Sequence, residues 1–377
     1  MVTAMRPTVM KISEEALANN ARAIRNAIPE RVGIICVVKA NAYGHLAIDA
    51  AKTMLAAGAA GFAVACVEEA EELRAAGIAE PILILGGGDE DSLRRAVRAE
   101  VSQAVYDPDM IAVMQDEAVR SGKTAKAHLK MDTGMSRIGV RSTDELSALL
   151  SFWNDRCPQV RMEGIFTHFC AADSDEAFTR LQNSRFNAAL SAVRAAGFSP
   201  KAHAAATTAM LKKECQYDCV RAGIALYGTL LPELADKLEY AQTLVTRPVR
   251  IERIAQGESI GYSRTYYAPR DMRVMTVPIG YGDGYPRVLS NRASALVCGR
   301  RARIVGNVCM DMLMLDVTDI PQADMNSEVV MMGAQGQERI TPDELADLAG
   351  TIPYEIMLGF SERVPKVYRR MRLGSKK

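Results

Sequence analysis

The chain is poor in several things, and each shortage closes off a class of explanation. Its eight cysteines are scattered over 377 residues, too dilute for a disulfide framework. The nearest pair, Cys215 and Cys219, has no second Cys or His pair at zinc-ligand spacing, so no metal site is expected. No stretch approaches the ~18 apolar residues of a membrane span, and the first residues lack the apolar core of a signal peptide. The expectation is a cytoplasmic protein with no membrane partner. An excess of one charge is also missing: 46 Lys plus Arg against 45 Asp plus Glu leave +1. That balance argues against bulk attraction to nucleic acid. With 49% hydrophobic and 24% charged residues, the chain can bury a sizeable core.

What is present is a regular alternation. From about residue 30 to 230, strand-like apolar runs begin at Ile34, Gly61, Pro81, Ser102, Ala125, Met162, Lys201 and Val220, the last reaching Tyr227. Helix-like segments lie between them, such as those at residues 46–57, 67–76, 108–121 and 175–196, and one precedes them near 13–28. Eight apolar strands separated by helices imply parallel pairing with both faces covered, and their number suits a (β/α)₈ TIM barrel of the α/β class. After about residue 240 helical periodicity gives way to short strand-like runs separated by Gly, Pro, Asp and Asn, which predicts a mostly antiparallel β domain. A single helix is expected there, opened by Thr341-Pro342-Asp343-Glu344. The domains are therefore read as 1–240 and 241–377, and the tail Ser375-Lys376-Lys377 as a frayed terminus.

Reacting groups in such a barrel gather at the carboxyl ends of the strands. The first run ends in Lys39, where burial would disfavour the ammonium form, as a Schiff-base lysine requires. On position alone a lysine that snorkels to water is the better fit. The fifth run ends in Lys130-Met-Asp132 and leads to Arg137, the sixth in Thr167-His168 with Asp173 beyond, the seventh in His203 followed by Thr207-Thr208, and the eighth in Arg221-Ala-Gly223-Ile224. Alone, His168 reads as a core histidine and Arg221 as an ion-pair partner. Their convergence on one mouth is hard to explain as structure. The Thr207 hydroxyl and the backbone near Gly223 would suit a phosphate.

Several strings resemble the alanine racemases in family order: Val38-Lys39-Ala-Asn-Ala-Tyr43-Gly-His, the segment from His128 through Lys130 to Arg137-Ile-Gly, Gly-Ile-Phe-Thr-His168-Phe, Val-Arg221-Ala-Gly-Ile-Ala-Leu-Tyr-Gly, Gly261-Tyr262-Ser263, Ile-Gly-Tyr281-Gly-Asp-Gly-Tyr-Pro-Arg287, Cys309-Met310-Asp311 and Tyr354-Glu355. The resemblance implies a pyridoxal 5'-phosphate enzyme assembled head to tail as a homodimer with shared sites, acting on a small amino acid. It implies Lys39 as cofactor lysine and base on one face, and Tyr262 of the partner subunit as base on the other. Because a tyrosine ordinarily titrates near ~10, it needs help, and His168 bonded to Arg221 resembles the assisting pair. Arg221 against the pyridine nitrogen would leave that nitrogen unprotonated. Tyr43, Thr207, Gly223, Ile224 and Tyr354 match phosphate contacts. Arg137 and the Met310 backbone match substrate-carboxylate contacts, Lys130 matches a lysine carbamylated in some members, and Cys309 and Asp311 flank Met310. Asp173, Tyr281 and Arg287 match residues at the substrate entrance.

Three positions depart from the pattern. Ala206-Thr207 stands for Asn-Ser, Asn307 for a frequent arginine, and Leu46 for glycine. Tyr281 is retained where serine racemases can differ, which favours alanine. A racemase of serine, lysine or another amino acid is the nearest alternative, because a methyl or methylene discriminates by only ~1–3 kcal/mol. A non-catalytic protein that binds the same cofactor is the other alternative, and Tyr262 with its β domain speaks against it.

Overall fold

The computed structural model describes residues 6–229 and 231–370, so the Lys-rich tail lies outside the described residues. It separates into two units. One comprises Leu17–Ala42 and Ala47–Leu238, and the other runs up to Ala16 and takes in Tyr43–Leu46 and the chain from Glu239 onward.

In the first unit eight parallel strands pair in chain order: Gly33–Val37, Gly61–Val64, Ile82–Ile84, Ser102–Val105, Ala125–Lys130, Val160–Phe166, Lys201–His203 and Cys219–Ala222. The eighth pairs in parallel with the first. Backbone bonds from Asp218 N to Ala202 O (3.0 Å) and from Arg221 N to Ala205 O (2.9 Å) tie the seventh region to the eighth, completing the barrel. Strands two to four are buried along their whole length, as expected when helices cover one face and the barrel interior the other.

Local chemistry starts and stops the helices. Asp107 caps Pro108–Ser121, whose proline occupies a first-turn position that needs no N–H, and Gly122 ends it at φ 65°. Ser142 and Glu145 close a capping box on Thr143–Arg156. Leu146, Leu149, Leu150 and Trp153 then fall on one buried face, and the Trp153 indole donates to Val160 O at 2.7 Å. Truncating Trp153 would cost about 3–5 kcal/mol.

One strand differs from the sequence reading. The eighth stops at Ala222 rather than Tyr227, because Gly223 (φ −114°, ψ −110°) leaves the extended region and Ile224–Tyr227 forms a 3₁₀ turn. The Tyr227 hydroxyl then donates to Val37 O (2.9 Å), bracing the first strand.

The second unit is mostly antiparallel. One sheet runs Arg300–Arg303, Ser294–Val297, Val329–Gln335, Gln242–Thr246, Val9–Ser13 and Lys366–Arg369, with Glu338–Ile340 beside Val329–Gln335. A second comprises Arg250–Ile254, Met272–Val277 and Leu313–Asp316. Two helices, not one, interrupt it: Pro342–Ala349, capped by Thr341, and Pro353–Leu358. The second is only six residues long and lacks a side-chain cap, so it carries little local signal. Among the described residues no helix is long and apolar enough to cross a membrane.

Candidate active site

The barrel unit gathers its titratable groups at the carboxyl ends of the strands. Lys39 opens a turn that reverses the normal helical hand, with φ of 52°, 53°, 53° and 54° at Ala40, Asn41, Ala42 and Tyr43. Such a conformation costs ~1–2 kcal/mol per non-glycine residue, so something must hold it. Glu69 does part of this, accepting from Ala40 N (2.6 Å) and Ala65 N (2.7 Å). Asn41 Oδ1 accepts from Ala47 N (2.7 Å), and Ala42 N donates to Val38 O (2.8 Å). The result pins the backbone beside the amine. Burial, with help from the Arg137 charge, pushes the Lys39 ammonium below its ordinary value against the opposing pull of Glu69.

Arg221 is the hub of the mouth and only 2% exposed. Nη1 donates to His203 Nδ1 (2.9 Å) and His203 O (3.0 Å). Nη2 donates to Thr167 O (2.7 Å), Ala204 O (2.8 Å) and His168 Nδ1 (3.2 Å). The guanidinium also lies over the Phe166 ring at 5.4 Å, with Lys130 Nζ 5.5 Å from the same ring. Burial pushes Arg221 down to about 9, which leaves it a cation at neutral pH.

An arginine can only donate, so its bonds dictate where the histidine protons sit. Nδ1 of both His168 and His203 must be a lone-pair nitrogen, and each proton is on Nε2. His203 Nε2 in turn faces His128 Nδ1 at 2.8 Å, which puts the His128 proton on its own Nε2. Burial and then the Arg221 charge take His168 down to about 3, and burial takes His128 to about 4. All three rings are neutral at physiological pH.

Lys130 is buried and donates to Met131 O (2.6 Å); burial and Arg221 push it down to about 8. Asp132 accepts from the amides of Gly134 (3.0 Å), Met135 (2.9 Å) and Ser136 (3.0 Å), fixing the loop that leads to Arg137. Among the described residues, none of Lys39, Lys130, Arg137 and Arg221 forms a salt bridge. Thr207 is buried, and its hydroxyl accepts from Gly223 N at 3.3 Å, beside the turn that begins at Ile224. Asp173 is exposed on the loop after strand six.

The second unit holds the remaining candidates. Tyr262 is 71% exposed, and Asn307 Nδ2 donates to its carbonyl at 2.8 Å. That bond explains what Asn307 does in place of an arginine: it anchors the Tyr262 backbone. Cys309 O and Met310 O accept from Tyr281 N (3.0 Å) and Gly282 N (2.8 Å), so these segments lie side by side. Gly280 is required there, since a Cβ would sit 2.2 Å from Cys309 O. Met310, Asp311, Tyr281 and Arg287 are exposed, and Asp311 accepts from Arg363 at 2.7 Å. Tyr43 and Tyr354 form a ring pair with centroids 5.8 Å apart, and burial, reinforced by Tyr354, raises the Tyr43 hydroxyl well above the ordinary phenol range.

Sequence reasoning named Lys39 but missed the Glu69 clamp, and named His203 without its His128 partner. An acid in the first turn of the helix after strand two, and histidines on strands five and seven, were the available signals.

Comparison with known proteins matches residues 12–231 to the alanine racemase N-terminal domain and residues 241–368 to the alanine racemase C-terminal domain. An alanine racemase from Symbiobacterium thermophilum is 41% identical over 374 residues, covering 97% of each chain. One from Clostridium perfringens is 38% identical over 374 residues, covering 97% of this chain and 96% of its own. Among solved structures, alanine racemase from Bacillus anthracis with bound L-Ala-P superposes with TM-score 0.89 at 36% identity, covering 98% and 96%. A histidine racemase from Leuconostoc mesenteroides superposes with TM-score 0.87 at 28% identity, covering 98% and 99%.

Proposed function

The chain belongs to the alanine racemase family, and from that premise we propose that it interconverts L- and D-alanine with pyridoxal 5'-phosphate held on Lys39. The observation that carries this reading is the mouth itself, where four cations converge without a salt bridge around a buried Arg221 whose side-chain hydrogen bonds all leave from Nη1 and Nη2. Nε, which makes no hydrogen bond among the described residues, would donate to the ring nitrogen, and a group that cannot accept a proton suits an unprotonated pyridine. The residues therefore fit the cofactor. Thr207 with the Gly223 and Ile224 amides would take its phosphate.

When bound, the cofactor supplies the electron sink that makes the substrate Cα–H acidic. Lys39 Nζ, already depressed by burial, moves the proton on one side. Tyr262 of the partner subunit moves it on the other, which accords with its exposure in the single chain. The His168 Nε2–H, fixed by Arg221 at Nδ1, is the donor that would favour an ionised phenol. Arg137, free of any carboxylate among the described residues, binds the substrate carboxylate. Lys130, near neutrality at about 8, is suited to carbamylation beside it. The product would serve cell-wall peptidoglycan assembly in the cytoplasm.

Borohydride reduction of the holoenzyme should fix the cofactor to the peptide containing Lys39. Attachment elsewhere overturns the assignment. Lys39→Ala and Tyr262→Phe homodimers should be inactive, while mixed dimers regain activity; none after verified subunit exchange refutes the shared site. Racemisation of alanine, serine, lysine, arginine and histidine, followed by chiral chromatography, should show alanine preferred. The histidine racemase neighbour makes histidine the informative competitor.

A further inference from the structure

A second cavity, of about 400 Å³, lies at the opposite end of the barrel. Its wall is made by residues that open strands rather than close them: Gly61, Ile82, Ser102, Lys201 and Cys219 begin strands two, three, four, seven and eight. Cavities of ~300–1,000 Å³ with mostly apolar walls are typical small-molecule sites. Phe62, Leu83 and Met162 supply such walls here.

The polar groups in it are not equivalent. Glu163 is already engaged, accepting from Ser102 Oγ at 2.8 Å and pairing with Arg161. Two donors remain. The His128 proton is confined to Nε2 because Nδ1 accepts from His203, the one side-chain hydrogen bond His128 makes among the described residues. Lys201, at the rim, has no ion pair among the described residues. The seat of the imidazole is itself built: strand six bulges at Glu163, as the register passes from Ala127–Met162 to His128–Gly164, and a Cβ at Gly164 would come within 2.3 Å of His128 Nδ1.

Each ligand class meets this lining differently. A cation would meet Lys201. A purely apolar molecule would leave the Nε2–H unpaired, and a polyanion would face Glu163. An anion with an apolar body satisfies both donors and the walls. We propose that this amino-end cavity binds a small monocarboxylate with an aromatic or aliphatic body, its carboxylate taken by Lys201 and the His128 Nε2–H.

Benzoate is the probe. In holoenzyme carrying ¹³C-methyl methionine, the Met162 methyl, assigned through Met162→Leu, reports this cavity through the ring current of a bound aromatic. Benzoate should shift it saturably, and benzyl alcohol at equal concentration should not. Lys201→Met should weaken the response about tenfold, the loss expected for one charge-assisted contact, with racemase activity unchanged. A Met162 resonance that stays still, or that moves equally with benzyl alcohol or in Lys201→Met, overturns the proposal.

Discussion

The two ends of one barrel treat charge in opposite ways. At the carboxyl end Lys39, Lys130, Arg137 and Arg221 crowd together without a salt bridge among the described residues, and burial and mutual repulsion depress both lysines. At the amino end the half-buried carboxylate, Glu163, is paired with Arg161 and bonded by Ser102, and of the charged groups named in that cavity Lys201 at the rim has no ion pair among the described residues. Both ends use the same strands, so the difference lies in the connections that leave them. Carboxyl ends open into loops that can hold irregular backbone, such as the left-handed turn after Lys39. Uncompensated cations are costly in the unliganded fold, and that cost returns as affinity when an anion arrives.

The contrast can be tested, beginning with its largest consequence. If histidines at both ends are buried neutral, acid should weaken the fold. Above about pH 6.5 neither folded nor unfolded chain holds these protons. Below it the unfolded chain binds protons the folded one refuses, so stability is lost as pH falls, through a window reaching about 4 for His128 and about 3 for His168. For His128 and His168 together the loss between pH 6.5 and 5 should be about 3 kcal/mol, with His203, also depressed, adding to it, read from denaturant midpoints at fixed protein concentration. His128→Gln should remove about half of that two-ring share; a midpoint flat across this range would show that the rings are protonated in the fold.

A smaller effect separates the two ends. Gly164→Ala forces a methyl against the His128 ring and should cost about 1–3 kcal/mol in chemical denaturation. It should also abolish the benzoate response while leaving racemisation within its order of magnitude. Collapse of racemisation in a folded variant would mean that the ends are not separable. The smallest effect concerns the proposed second base, Tyr262. Asn307→Ala removes the donor to the Tyr262 carbonyl, worth about 1 kcal/mol, and should slow deuterium exchange from one alanine enantiomer several-fold while barely changing exchange from the other. Equal slowing of both would assign Asn307 a general structural role.

Much of this architecture is legible along the chain, because each βα unit advertises itself through its own periodicity and caps. The strand-end residues were equally legible once the barrel was assumed, since strand ends define the mouth. The turn after Lys39 was not. Its hand is held in part by Glu69, some thirty residues away, against the preference of Ala40 and Ala42 themselves. The sheet position of Val9–Ser13, between Gln242–Thr246 and Lys366–Arg369, depends on partners at the far end of the chain. The His128–His203 pair was hidden for a similar reason, as neither residue has a local pattern that identifies the other.

The line of rings from His128 through His203 to Arg221 and His168 has the outline of a proton wire threading the barrel. It is an open circuit. A wire must accept at one nitrogen and release from another, and a guanidinium has no lone pair with which to accept. Arg221 therefore acts as an insulator set between two conductors. The line offers a proton no relay from one end of the barrel to the other, and a molecule bound at the floor can act on the mouth through it only by polarising bonds.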